Sequence, residues 1–520
     1  MVCGVEEFEE AFLGEGVALM SGRGATRVIP SLALVLAMSA GHANAQTTAP
    51  AVAAPVKAGT IVSRGDRRAE LLRSLLQGEN EVAIAVPGAE TPDSVETLDL
   101  AEAVAMAMKS NYEVLAADAK KSGTEWDVVA AYGQYAPQVN FTYATGSERS
   151  SPASYNDSIG NRVNDDTHHR RDRVWKIAQP LVDLSIITDI LQRRKTDDMA
   201  DAERIGVRER VALDTVSSYL KLIQGVLTVR YAERYKASLD GLQDRMSARV
   251  EGGGASRADL ERVRSRAIMA DSAIISSRSE LEAAQIEFRR LVGVMPLKVR
   301  VPEHLLPDVP EEPGVALRHA LAANPDYLAS DLQSEVARLE SDKAYSRLLP
   351  KLSFEVSRTT TYNAGGSAKG NPIDGGPWPN EIENMAMLVA TWSFNGGSDL
   401  LQGVGYGERA REAQYKTLDL RRRLEESMAN SYNALAAADK RIQATRQALA
   451  ANTLVAGSFE EQYLAGSRQL FDLLDAYERL YSSRVELIRL ITAEAQAAFQ
   501  VRRQMGEMVG AVLGTGESQP

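Results

Sequence analysis

No proline interrupts residues 181–295 or residues 380–519. Both stretches are dense in Ala, Leu, Arg, Glu and Gln, and apolar residues recur at helical spacing, as in Val211, Leu213, Val216, Tyr219 and Leu222. Each stretch breaks once, at "EGGGASRAD" (251–259) and at "YLAGSRQLFD" (463–472). The pattern predicts, in each, a helix of about 65 residues, a tight turn and a returning helix of about 40; at about 1.5 Å per residue the longer arm reaches roughly 100 Å. A helix of that length does not fit inside a globular domain, but it suits a coiled-coil-like barrel.

The two stretches are copies. A shift of 213 positions carries Asn111, Leu115, Ala116 and Asp118 onto Asn324, Leu328, Ala329 and Asp331. It also carries Ala131, Tyr132, Pro137 and Phe141 onto Ala344, Tyr345, Pro350 and Phe354. It places Gly253, Asp259 and Leu260 on Gly466, Asp472 and Leu473, and Arg289, Arg290 and Gly293 on Arg502, Arg503 and Gly506. The register slips around 181–192 and then recovers. One shift holding at separated places marks a tandem duplication, with repeats at 97–293 and 314–506. A proline-rich linker, 294–313, joins them in what should be the equatorial region, together with the C-terminal tail 507–520.

Each repeat has the same order of parts. An amphipathic helix comes first, with Leu100, Val104 and Met108 in one copy and Val315, His319 and Leu321 in the other. Proline in "YAPQVNF" or "LLPKLSF" ends it. A strand follows, about 137–147 or 350–361, in which Val139, Phe141 and Tyr143, or Leu352, Phe354 and Val356, alternate with polar residues. A polar loop leads to a second strand, about 172–181 or 384–394. Four strands are too few, because the smallest closed membrane barrels have about eight. Open edges are not tolerated in lipid, so strands from several chains must share one barrel. Trp175 and Trp392 fit an aromatic girdle or barrel packing equally well.

Charge and composition exclude other classes. The net charge of −11 leaves no basic excess to neutralise phosphates, so no nucleic-acid partner is expected. The single cysteine, Cys3, supports neither a disulfide framework nor a thiolate metal site. His168 and His169 stand in a polar loop without a ligand pattern, so no metal or other cofactor is expected. Residues 20–45 read as a signal peptide: Arg23 and Arg27, an apolar core, then Ala43-Asn44-Ala45. The acidic residues 1–19 do not fit an export signal and read as a mis-called start. Residues 46–96 form an N-terminal extension, partly disordered, that begins low-complexity and then offers a short basic-apolar helix "RRAELLRSLL".

The duplicated helix–strand–loop–strand–hairpin order, the export signal and the tip "YLAGSRQLFDLLDAYERLYSSRVEL" together resemble the TolC-type outer-membrane channel family, over about residues 97 to 508. The resemblance implies a mainly α fold with a small β part: a long α-helical barrel carrying a twelve-stranded β-barrel shared by a homotrimer. It implies a place in the outer membrane of a Gram-negative bacterium, reaching into the periplasm, and a transport rather than enzymatic role. Its partners would be a periplasmic adaptor, an inner-membrane ABC transporter, secreted protein cargo and outer-membrane lipid. It also implies an iris-like periplasmic gate. Asp472 and Asp475 would line the constriction, Tyr463, Arg468 and Asp259 would form the latch, and Gly466 with Gly252, Gly253 and Gly254 would mark the adaptor-docking tips. The first tip departs from the family pattern, with three glycines and no apolar residue after them. Spacing of three puts Asp472 and Asp475 on one helix face.

The absent lipid-anchor cysteine and the second tip favour the exit duct of a type I secretion system. The alternative is the outer-membrane component of a multidrug or metal efflux pump. A purely structural periplasmic coiled-coil protein is a third reading. An enzyme is disfavoured, because the acids have no positioned His, Ser or Cys beside them.

Overall fold

The computed structural model describes residues 62–76, 79–84, 94–148, 167–362 and 381–514. The expected signal peptide and mis-called start, the first part of the N-terminal extension and both strand-connecting loops lie outside these residues. In chain order the elements are α1 (Val62–Leu75), β1 (Glu81–Ala83), β2 (Ser94–Leu98), α2 (Leu100–Ser110), α3 (Tyr112–Gly133), β3 (Gln138–Glu148) and β4 (His168–Val182). The first long hairpin is α4 (Leu184–Glu251) and α5 (Arg257–Val292), followed by β5 (Met295–Arg300). The second repeat comprises α6 (Pro313–Ala323), α7 (Pro325–Ser346), β6 (Lys351–Tyr362), β7 (Glu381–Thr391), α8 (Ser398–Leu464) and α9 (Leu470–Gln504), and α10 (Met508–Leu513) closes the chain. Helices α4 and α8 have 68 and 67 residues. The protein is mainly α with a small β part.

The leading helix of each repeat is two helices, which corrects the single helix expected from the sequence. The break falls at Asn111 in one copy and at the equivalent Asn324 in the other, both in extended conformation. Asn111 Oδ1 accepts from Glu113 N (2.9 Å) while its Nδ2 donates to Leu291 O (3.1 Å). Asn324 Oδ1 accepts from Tyr327 N (2.9 Å) and its Nδ2 donates to Gln504 O (2.9 Å). Leu291 and Gln504 are themselves related by the 213-residue shift. Each buried asparagine therefore caps one helix and ties it to the end of the returning one. Continuous apolar periodicity across both positions conceals this.

The duplicated register recurs elsewhere in the core. Tyr219 and Tyr432 occupy equivalent positions on α4 and α8. The Tyr219 hydroxyl reaches Leu98 O (3.0 Å) and Arg300 O (2.5 Å), and the Tyr432 hydroxyl donates to Pro310 O (2.8 Å). Burial pushes the Tyr432 hydroxyl up to about 12. Strands β1, β5 and β2 form one small sheet, β1 antiparallel and β2 parallel to β5. The N-terminal extension and the inter-repeat linker thus meet at mid-height of the long helices.

Helix α1 packs against this region with Ala69, Leu72 and Leu76 fully buried. Arg68 holds it there: its Nε lies 2.6 Å from Glu494 of α9 and its Nη2 lies 2.6 Å from Asp439 of α8. The positions of the first repeat equivalent to Glu494 and Asp439 are Leu281 and Val226, both buried. So the ionic seat for α1 exists in one repeat only. Buried Glu209 of α4 accepts from Met508 N (2.6 Å) and Val509 N (3.2 Å), which fixes α10 in the same belt.

The second sheet has the order β3-β4-β6-β7, all antiparallel, with a bulge near Pro180. Phe141 and Trp175 pair across β3 and β4, with ring centroids 4.4 Å apart. No described helix is long and apolar enough to cross a membrane.

Candidate functional site: the two hairpin tips

Both tips end in the same backbone turn. At the first, Gly254 N donates to Arg249 O (2.7 Å) and Gly253 N to Val250 O (3.1 Å). At the second, Ser467 N donates to Gln462 O (2.9 Å) and Gly466 N to Tyr463 O (3.0 Å). These are the paired bonds of a helix end closed by a left-handed residue. That residue is Gly253 (φ 74) in one tip and Gly466 (φ 78) in the other. Gly252 (φ −78) is an ordinary cap, so of the three glycines Gly253 is the one that answers the left-handed position of the turn. A Cβ on Gly253 or Gly466 would meet nothing within 4 Å, so both glycines face open space.

The side chains around the turns differ. Ser256 caps α5 by accepting from Ala258 N (3.1 Å), whereas its counterpart Gln469 makes no side-chain cap on α9. Glu251 and Ala258 flank the first turn, and at the same places in the second stand Leu464 and Phe471, 55% and 59% exposed. Of the two glycine-centred turns, the second is therefore the more apolar.

Each residue singled out from the sequence has a defined place. Tyr463 is buried; its hydroxyl lies 3.0 Å from Met246 Sδ on α4, and the Arg249 guanidinium sits 5.7 Å from its ring centroid. Arg468 lies over the Phe459 ring at 3.8 Å, with its Nε 3.0 Å from Asp472 Oδ2. Asp475 pairs with Arg479 at 2.8 Å. Asp259 pairs with Arg262, its neighbour one turn on, at 3.3 Å. Asp472 and Asp475 are half-buried on a face flanked by buried Leu473, Leu474, Ala476 and Tyr477. Within one chain, then, Arg468 and Asp472 come together, while Asp259 stays on the other tip with its own arginine. Each of the two acids has its own arginine four residues away, which partly neutralises the face.

The structure adds contacts that join the two hairpins just above the tips. Arg245 of α4 meets Glu460 of α8 (3.0 Å), and Arg266 of α5 meets Glu478 of α9 (2.6 Å). Tyr235 and Tyr481 stack with centroids 5.0 Å apart. Leu239, Leu242, Met246, Val263, Leu470 and Leu473 close a shared apolar cluster that also takes in Tyr463. Tyr477 is pushed well above the usual tyrosine range by burial and by a hydrogen bond to Glu460. Helical spacing within one hairpin cannot specify pairs between hairpins, so these escaped the sequence. Tyr219 and Tyr432 were accessible through the 213-residue shift. Among the described residues no group of three or more His, Cys, Asp or Glu is placed to hold a metal.

The family profile described as "Outer membrane efflux protein" matches residues 316–507, the second repeat. The outer membrane protein TolC of Salmonella enteritidis is 22% identical over 422 residues, covering 78% of this chain and 81% of that protein. The alkaline protease secretion protein AprF of Pseudomonas aeruginosa is 26% identical over 261 residues, 48% of this chain and 52% of that protein. The solved structure of the outer membrane protein VceC from Vibrio cholerae superposes with a TM-score of 0.64 at 15% identity, over 78% of this chain and 96% of that one. The first repeat thus shares its architecture with the matched second. TolC and VceC are outer membrane proteins, and the chain resembles both over more than three quarters of its length. Duplicated hairpins, a small antiparallel sheet and glycine-centred tips lead to one conclusion: the chain has the fold of the TolC-type channels, and its second repeat matches the outer membrane efflux protein profile.

Proposed function

We propose that three copies of this chain form the exit duct of a type I secretion system, passing unfolded protein across the periplasm and outer membrane. The observation that carries this reading is the four-stranded sheet. Its edges β3 and β7 are unpaired in one chain, and one of its faces carries the aromatic residues Phe141, Tyr143, Trp175 and Phe354 while every described carboxylate of its strands lies on the other. Three such sheets give twelve strands and leave no edge open to lipid, where an unpaired backbone group costs several kcal/mol. The long hairpins then continue the pore as an α-helical tunnel. The name of the related AprF, a protease secretion protein, supports protein as the cargo class.

At the periplasmic end threefold symmetry repeats Asp472 and Asp475 around the axis as the constriction. Arg468 and Tyr463, with Asp259 across the gap, are assigned to the latch. Closed contacts of this kind are weak where exposed, so an adaptor can undo them. Exposed Leu464 and Phe471 around Gly466 support docking of a periplasmic adaptor at the second tip, and Gly252, Gly253 and Gly254 offer the narrower first one. The adaptor would link the duct to an inner-membrane ABC transporter. A second reading, the outer-membrane component of a multidrug or metal efflux pump, is favoured by the description of the matching family as efflux proteins.

Deleting the gene separates the two. Loss of a large secreted protein with unchanged drug and metal sensitivity is the expected result. An unchanged secreted proteome with sharp hypersensitivity to drugs or metals overturns the secretion reading in favour of the efflux one.

A further inference from the structure

Charge is sorted between the two faces of the β3-β4-β6-β7 sheet. The pairing registers put Val139, Phe141 and Tyr143 of β3 on the same face as Arg173, Trp175 and Ile177 of β4, Phe354, Val356 and Arg358 of β6, and Ile382 and Leu388 of β7. Every described carboxylate of these four strands lies on the opposite face: Glu148, Asp172, Glu355, Glu381 and Glu383. There the bases are paired too, Lys176 with Glu355 at 2.8 Å and Arg170 with Glu148 and Asp172 at 3.0 Å each. The apolar face carries Arg171, Arg173 and Arg358 with no acid among its described residues.

Position matters as much as sign. The helices leave the sheet at Gln138, Val182, Lys351 and Thr391, so the other ends of the strands point away from the tunnel. Arg173 stands nine residues from Val182 along β4, roughly 30 Å of strand and about 23 Å of height at a 40° tilt. That is close to the height of the apolar band of an outer-membrane barrel, about 25 Å. All three arginines are exposed. The guanidinium groups of Arg171 and Arg173 lie 5.2 and 5.3 Å from the centroid of the Tyr362 ring, which holds them at the rim. An arginine on the lipid face is costly at mid-membrane and tolerated at the interface, so Arg171 and Arg173 sit where they can reach a headgroup, with Arg358 level with Trp175, two residues below Arg173.

We infer that Arg171, Arg173 and Arg358 bind the phosphate groups of the phosphorylated glycolipid in the outer leaflet. The inference rests on the membrane-barrel reading given above. Guanidinium groups clamp phosphate oxygens in pairs, and the cluster offers three from each protomer with an apolar wall below for the acyl chains. Among the described residues of the four strands every acid lies on the other face, away from such a ligand.

The test uses the full-length assembly in nanodiscs and native mass spectrometry, with bisphosphorylated lipid A as the probe. Dephosphorylated lipid A and phosphatidylglycerol serve as comparators. The expected result is at least about tenfold weaker lipid A binding by R171Q/R173Q/R358Q, with R170Q on the opposite face close to wild type. Wild type should also prefer the bisphosphorylated form to both comparators by about tenfold. Retention of binding within twofold by the triple variant, an equal loss in R170Q, or equal binding of phosphatidylglycerol overturns the inference. Single-channel conductance of the same variants in planar bilayers separates the failures: normal conductance with unchanged lipid A binding sinks this inference alone. A wild-type protein that never inserts sinks the barrel reading with it.

Discussion

The first hairpin tip, Glu251 to Arg257, and the second, Leu464 to Leu470, make the same backbone bonds around a left-handed glycine. Their side chains share little: one tip is polar and serine-capped, the other carries exposed Leu464 and Phe471 and the acid–arginine pairs. The same contrast runs through the two repeats. Turns, asparagine ties and buried tyrosines recur at a fixed shift, whereas the groups offered to partners occur in one copy. Duplication preserved what the backbone requires and left the contact surfaces free to diverge.

The sharpest break between the repeats is the ionic seat of α1. Removing Arg68 (Arg68→Ala) leaves Glu494 without its 2.6 Å partner in a buried site, and breaking a buried pair typically costs about 3–5 kcal/mol. Thermal unfolding of the purified protein should drop sharply. The triple change R68L with E494L and D439V, which rebuilds the apolar pattern of Leu281 and Val226, should recover much of the loss. An unperturbed R68A protein would show that α1 contributes little to the fold.

Gly293 and Gly506 test the equivalence from the other side. Both have positive φ, 87 and 73. A Cβ at Gly506 would stand 2.4 Å from Ala323 O, while one at Gly293 would meet nothing closer than Ser110 Oγ at 3.5 Å. Gly293→Ala should cost about 1–2 kcal/mol, the backbone penalty alone. Gly506→Ala should cost more, because a backbone carbonyl must move. Equal unfolding midpoints for the two variants would contradict the asymmetry.

Asn111→Ala and Asn324→Ala should be alike. Each loses a cap and a buried bond to a carbonyl, about 2–3 kcal/mol together. Hydrogen exchange at the α2–α3 and α6–α7 junctions would report the loss locally. A large difference between the two would break the idea that the shift preserves function at these points.

How far the sequence reached follows from the same examples. The long hairpins, the four strands and the duplication were legible because they depend on local periodicity, proline placement and a repeated register. The asparagine breaks were not, because one polar residue leaves an apolar stripe intact while its role lies in a carbonyl 180 positions away. The seat of α1 was hidden for a related reason, since a basic residue in an extension does not name its buried partners. At the tip, the sequence assigned Arg468 to Asp259 of the other hairpin, whereas within one chain it meets Asp472 four residues on, and Arg266–Glu478, which joins different hairpins, was not legible at all.

The smallest expected effect concerns the two long helices' starts. Asp183 caps α4 through Ser185 N (2.9 Å), whereas α8 begins at Gly397 with no side-chain cap. Burial pushes the Asp183 carboxyl up, but bonds to Ser185 and Lys351 outweigh it and hold it below the usual range. A lowered folded-state value means stability that is present above the unfolded carboxylate value, near 3.9, and lost as pH falls through the folded one. Asp183→Asn should therefore flatten the acid limb of the stability profile below about pH 4. Gly397→Ala, which removes no titrating group, should leave that limb unchanged in shape.

The central claim is that the acids of the second tip, and not their counterparts in the first, set the periplasmic constriction. Single-channel recording in planar bilayers tests it with D472N/D475N beside D259N. The account predicts weaker cation preference and lost block by trivalent cations from the periplasmic side in the double variant, whereas D259N, which loosens the latch, raises conductance and keeps the cation preference. Unchanged selectivity and block in D472N/D475N would contradict it.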